Sequence, residues 1–217
     1  MRELVKLDHV GDVAPALLAT LNTGEKVLVP IDQVRYRDST VKVDRVTLTF
    51  PNPVPNPPMG LKTLSLWFES LEGPGSATIS AGKVGEFRIM TLGPGESYLL
   101  HHASLMAMES TVRLSEVILA AYNTMRSTYP AYFKAMHLQG PGRFAIQTRG
   151  NVLSFELRPG ETVRAPPYSV VGLKPGVQVR AQVFGGPPAF PRLHYFPLVD
   201  LTGPGNVLLH SGLPVVG

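Results

Sequence analysis

Three stretches of this chain can be laid over one another without a gap, and that repetition constrains the fold more than any single motif. Residues 23–43 (TGEKVLVPIDQVRYRDSTVKV), 94–114 (PGESYLLHHASLMAMESTVRL) and 159–179 (PGETVRAPPYSVVGLKPGVQV) align at offsets of 71 (95 minus 24) and 65 (160 minus 95). Gly24, Gly95 and Gly160 coincide, as do Glu25, Glu96 and Glu161. Apolar positions coincide too, as in Val27, Tyr98 and Val163, or Val41, Val112 and Val177. A second block recurs out of phase: LEGPGSATIS from Leu71, LQGPGRFAIQ from Leu138 and LTGPGNVLLH from Leu201. Self-similarity at a fixed period marks copies of one supersecondary unit. The expectation is one compact domain over 1–217, with repeat units 1–70, 71–137 and 138–200 and a closing strand 201–217.

The repeats are built from strands. Val46, Leu48 and Phe50 alternate with Thr47 and Thr49, which puts apolar side chains on one face of a strand. Gly-Pro-Gly and Pro-Gly-Glu punctuate short β-branched runs, and glycine supplies the positive φ that tight turns require. The 21 glycines and 21 prolines are spread along the chain and leave little room for long helices. The first unit lacks a Gly-Pro-Gly strand before its turn, and a spare one ends the chain. The last strand is therefore expected to pair with the first unit and close a pseudo-threefold ring with no exposed edge. PNPVPNPPMG (51–60) reads as a proline-stiffened connection, and 118–128 as the best candidate for a short helix.

Composition narrows the function classes. Without cysteine, neither a disulfide framework nor a thiolate metal site is available. No window approaches a membrane-spanning apolar run and the N-terminus lacks a signal-peptide core, so a cytoplasmic protein with no membrane span is expected. A formal charge of +4 permits a nucleic-acid partner without arguing for one.

No catalytic constellation is visible. The Gly-Pro-Gly-Glu stretch lacks the Gly-Lys-Ser/Thr ending and following helix of a phosphate loop, and no Gly-x-Ser-x-Gly elbow occurs. His101 and His102 are adjacent, so on a strand they would face opposite ways; no metal site and no cofactor are expected. Glu25, Glu96 and Glu161 are candidate axis carboxylates if a threefold arrangement gathers them, and otherwise repeated turn residues. Arg35 and Arg37, expected on one strand face, form with Lys42 and Arg45 the candidate nucleic-acid contact.

The order of these motifs, best seen in YFKAMHLQGPGRFAIQTRGNVLSFELRPGE and LVDLTGPGNVLLHSG, resembles the family of altered inheritance of mitochondria protein twenty-four. That resemblance implies an all-β fold of three TRAP-like β-sandwich repeats, similar to the domain of the tryptophan RNA-binding attenuation protein, with pseudo-threefold symmetry. It implies no catalytic residues. The eukaryotic member's association with mitochondrial inner-membrane organisation is not carried over, since no transit peptide is visible.

The sequence thus points to a non-enzymatic binding or scaffold protein that associates with itself or with other proteins. Two alternatives stand beside it. One is RNA or single-stranded nucleic-acid binding through a basic strand face, and the other is a small-molecule or metal-binding β-barrel.

Overall fold

The computed structural model describes residues 6–10, 16–51, 63–80, 82, 85–121, 132–182 and 198–212. A short strand β1 (Lys6–Val10) precedes three blocks of six strands each. The first block holds β2 (Ala16–Leu21), β3 (Lys26–Pro30), β4 (Val34–Arg37), β5 (Lys42–Pro51), β6 (Thr63–Glu72) and β7 (Gly75–Ile79). The second holds β8 (Phe87–Leu92), β9 (Ser97–His101), β10 (Leu105–Glu109), β11 (Arg113–Ala121), β12 (Tyr132–Gln139) and β13 (Gly142–Gln147). The third holds β14 (Val152–Leu157), β15 (Thr162–Ala165), β16 (Val170–Leu173), β17 (Gln178–Gln182), β18 (Leu198–Thr202) and β19 (Gly205–His210). Apart from single 3-10 turns at His102–Ser104 and Pro167–Ser169, the regular structure described is all strand.

The strands form four antiparallel sheets, ordered β1-β2-β7-β4, β5-β6-β3-β10-β13-β8, β11-β12-β9-β16-β19-β14 and β15-β18-β17. The two six-stranded sheets are each shared between successive blocks. In both, the second strand of one block pairs with the third strand of the next: β3 with β10 (Leu28 opposite Met108) and β9 with β16 (Leu99 opposite Leu173).

The buried apolar residues fall into three clusters. Leu17, Ala77 and Ile79 of the first sheet pack on Val27, Val29 and Leu71 of the second. Phe68, Met108 and Phe144 of the second meet Tyr98, Leu100, Met136 and Leu138 of the third. Leu173 and Val207 of the third meet Val199 and Leu201 of the fourth. A strand covered on both faces needs no polar side, and so every residue of β10 and of β16 is buried. Burial of each large side chain contributes about 1.5–3 kcal/mol.

Two expectations are corrected. The last Gly-Pro-Gly strand, β19, does not reach the first block; it pairs with β14 on one side and β16 on the other. The spare strand was an artefact of phase, because Gly-Pro-Gly closes a block and the opening strand of each block (β2, β8, β14) carries none. Residues 118–121 extend β11, with Ile118 opposite Ala135 and Ala120 opposite Phe133, in place of the expected helix. The remainder of that segment, and the loop from Asn52 to Gly60, lie outside the described residues.

Candidate functional site

The three repeated glutamates lock three turns. Their carboxylates accept the backbone N–H three residues earlier: Asn22 to Glu25 at 2.7 Å, Gly93 to Glu96 at 2.7 Å and Arg158 to Glu161 at 3.0 Å. Each glutamate's own N–H returns a bond to the same residue's carbonyl, closing a four-residue turn. Gly24, Gly95 and Gly160 sit inside these turns at φ of 81°, 77° and 81°, a region that side chains with a Cβ rarely adopt. The turns in turn anchor the Gly-Pro-Gly blocks, since Gly73, Gly140 and Gly203 donate to the carbonyls of Glu25, Glu96 and Glu161. Each carboxylate is thus engaged in its own turn.

The basic quartet is divided between two sheets. Arg35 and Arg37 lie on β4, at the edge of the first sheet, and Lys42 and Arg45 on β5, at the edge of the second. The register against β7 shifts between Val34 and Tyr36, so the alternation that would set Arg35 and Arg37 on one face is interrupted. Arg37 donates from Nη1 to the Val41 carbonyl at 2.8 Å, whereas Arg35 reaches toward Gly82. On β5, Lys42 stands opposite Glu72 and Arg45 opposite Glu69. Glu72 also pairs with Lys26 at 2.8 Å, and that hydrogen bond holds its carboxyl below the usual range and the Lys26 ammonium above it. Acids therefore offset the β5 cations, and the four do not form one basic face.

Four histidines are placed among the described side chains at separate turns and strands. His101 ends β9 and His102 opens a 3-10 turn, so their rings are 4.8 Å apart; the opposite-face argument fails because the strand stops between them. Ser115 Oγ lies 3.1 Å from His137 Nδ1, and His210 Nε2 is 2.7 Å from the Tyr168 carbonyl. Among the described residues no group of three or more metal-ligating side chains is placed to hold an ion.

Two features were missed in the sequence. The outer half of the β5–β6 hairpin has one face covered, where Val46, Leu48 and Leu66 pack on the second cluster. Its other face is open: Thr47 stands opposite Trp67 and Thr49 opposite Ser65, all exposed, with Trp67 at 61%. Ile31, also exposed, donates its N–H to the Trp67 carbonyl. A lone tryptophan gives no periodic signal from which such exposure is legible. The second feature is a pair of buried polar links. Glu109, 2% exposed, takes Arg143 Nε at 2.8 Å and the Arg143 backbone N–H at 2.8 Å, beside the β3–β10 joint. Tyr98 donates to Asn206, whose amide donates to Ser154 and Glu156.

Stacked antiparallel sheets with an open aromatic strand face define an all-β protein. A family model described as mitochondrial biogenesis AIM24 matches residues 9–212, and the chain belongs to that family. Its fold is similar to that of protein SPYM3_0169 from Streptococcus pyogenes, with a TM-score of 0.70 and 13% sequence identity over 95% of this chain and 93% of that one. No curated protein matches. Among the described residues no helix is long and apolar enough to cross a membrane.

Proposed function

We propose that this protein is a non-enzymatic binding or scaffold protein, working in the cytoplasm through contacts with other proteins or with itself. The open face of the β5–β6 hairpin supports this reading. Tryptophan is enriched where proteins meet, and Trp67 at 61% exposure stands among small hydroxyl side chains that a partner can approach closely. The three similar blocks, with three separate cores, support a reading as three β-sandwich repeats in pseudo-threefold arrangement, a rigid frame for such contacts.

Native mass spectrometry of the untagged protein, purified gently from its own host at low salt, tests this. The expected spectrum shows the chain bare or with bound protein, and Trp67→Ala is expected to lose that protein while keeping the fold. Retained mass matching a metabolite, metal or nucleotide, or a defined turnover by the purified chain, would overturn it.

A further inference from the structure

β5 and β6, ten residues each, are the longest strands described, and β5 ends its sheet among the described residues. Its outer half alternates strictly: Val46, Leu48 and Phe50 are half-buried, while Thr47 and Thr49 are exposed. Read backwards from Phe50, the segment VTLTF has the same order of apolar and hydroxyl residues as it has read forwards. An isologous interface needs that property, because residue i meets j wherever j meets i. An unpaired edge is also a template for another strand.

We infer that β5 pairs antiparallel with β5 of a second copy across a two-fold axis at Leu48, so that the second sheets of two copies become one. The inference rests on the binding reading and names the partner as this same chain. In this register Leu48 meets Leu48, Val46 meets Phe50 and Thr47 meets Thr49. The apolar pairs continue the face on which Val46 and Leu48 pack against the second cluster. The hydroxyl pairs continue the open face, where Thr47 stands opposite Trp67 and Thr49 opposite Ser65. Matched cross-strand pairs of both kinds stabilise a ladder.

Charge selects this register. With the axis at Asp44 or Arg45 that residue lies against its own copy, and with it at Val46 or Thr47 the Asp44 carboxylate falls opposite Leu48 or Phe50. An axis at Val43 pairs only three residues of the strand, and one at Thr49 sets Thr47 against Pro51, which has no N–H to donate. With the axis at Leu48, Arg45 meets Pro51, and Lys42 and Asp44 lie beyond the paired segment. The edges of the other two hairpins lack the pattern. β11 is apolar throughout from Val117 to Ala121, which leaves its register unspecified, and β17 (QVRAQ) sets Arg180 against itself. On β14, the Val152 backbone N–H and carbonyl are engaged by Glu86 and Arg88, at 2.7 and 3.0 Å.

Thr47 and Thr49 are exposed, and the chain has no cysteine, so thiols introduced there are unique. Thr47→Cys and Thr49→Cys are made as separate proteins and oxidised alone and mixed. A disulfide needs Cα atoms within about 7 Å, a separation that directly opposite residues meet and diagonal ones, about 7–8 Å apart, miss. Disulfide-linked dimer is expected in the mixture and far less of it in either variant alone. Equal linking in all three samples, or none in the mixture, overturns the inference. Light scattering supplies a second measurement that needs no thiol. The unaltered chain is expected at twice the chain mass. Thr47→Lys combined with Thr49→Lys sets cation against cation across the axis and is expected to give the single mass. Thr47→Lys combined with Thr49→Glu sets cation against anion and is expected to restore the double mass. A monomeric unaltered chain, or one mass for both double variants, overturns the pairing. If the unaltered chain is a monomer while native mass spectrometry finds another protein that Trp67→Ala releases, the self-pairing is wrong and the binding reading stands. A dimer that carries a bound metabolite gives the reverse.

Discussion

The Tyr98 hydroxyl on β9 donates to Asn206 Oδ1 on β19 at 3.1 Å, tying together strands 108 residues apart beside the second apolar cluster. The ring is 1% exposed and lies against Phe144, with centroids 6.1 Å apart. Tyr98→Phe keeps the ring and removes the donor, leaving Asn206 short of one partner. Chemical denaturation is expected to show a loss of about 1–2 kcal/mol. Gly172→Ala is expected to cost more, because its Cβ would stand 2.5 Å from Tyr98 Cε1 and 2.7 Å from the Leu99 carbonyl, and backbone cannot step aside.

Burial, with the Glu156 charge, raises the Tyr98 phenol above its ordinary value of 10.0. The neutral form is favoured in the folded chain, so the unfolded chain loses this proton first. The stabilisation is complete below pH 10 and is lost as pH rises toward the folded value. Stability measured from pH 9 to 12 is expected to fall more steeply for the unaltered protein than for Tyr98→Phe. Parallel curves would show that Tyr98 does not carry the linkage.

Glu109 and Arg143 form the most buried ion pair described, and removing one partner strands the other charge. Glu109→Ala is expected to cost about 3 kcal/mol in denaturant unfolding. Replacing both residues by methionine is expected to cost less than the two single changes added together. Strict additivity would mean that the pair is not coupled.

Much of the frame was legible in the sequence, because turns are written in residues whose conformations are special. Gly24, Gly95 and Gly160 need positive φ, and the glutamates after them fasten the turns that the sequence placed there. Gly73, Gly140 and Gly203 recur because a Cβ would collide with the carbonyls of Asn22, Gly93 and Arg158. What the sequence hid depends on neighbours distant along the chain. Arg35, Met106 and Val171 align in the sequence, each at a shift of strand register, yet Met106 and Val171 are buried and Arg35 is exposed. Among the described residues, β10 and β16 have strands on both sides and β4 has one. Ile118 to Ala121 belong to a strand because β12 lies beside them, which local periodicity does not report.

The turn glutamates distinguish a structural role from a shared cation site. Glu25→Gln, Glu96→Gln and Glu161→Gln each weaken one turn, so each is expected to lower stability by up to about 1 kcal/mol. The turns share no carboxylate, and the three losses are expected to add. Calcium or a chelator is expected to leave the melting temperature unchanged. A rise with calcium that all three substitutions abolish together would instead place the carboxylates around one ion.

Division of the basic quartet leads to a prediction about nucleic acid. A backbone-binding face needs cations on a common surface, and its affinity falls steeply with salt as counterions are released. Arg35 and Arg37 point to different places, and Lys42 and Arg45 stand opposite Glu72 and Glu69. Fluorescence anisotropy with single-stranded RNA at low salt is expected to show no saturable binding, and Arg35→Glu with Arg37→Glu is expected to change nothing. Saturable binding that weakens with salt and disappears in that double variant would restore the nucleic-acid reading and make the β4 edge its site.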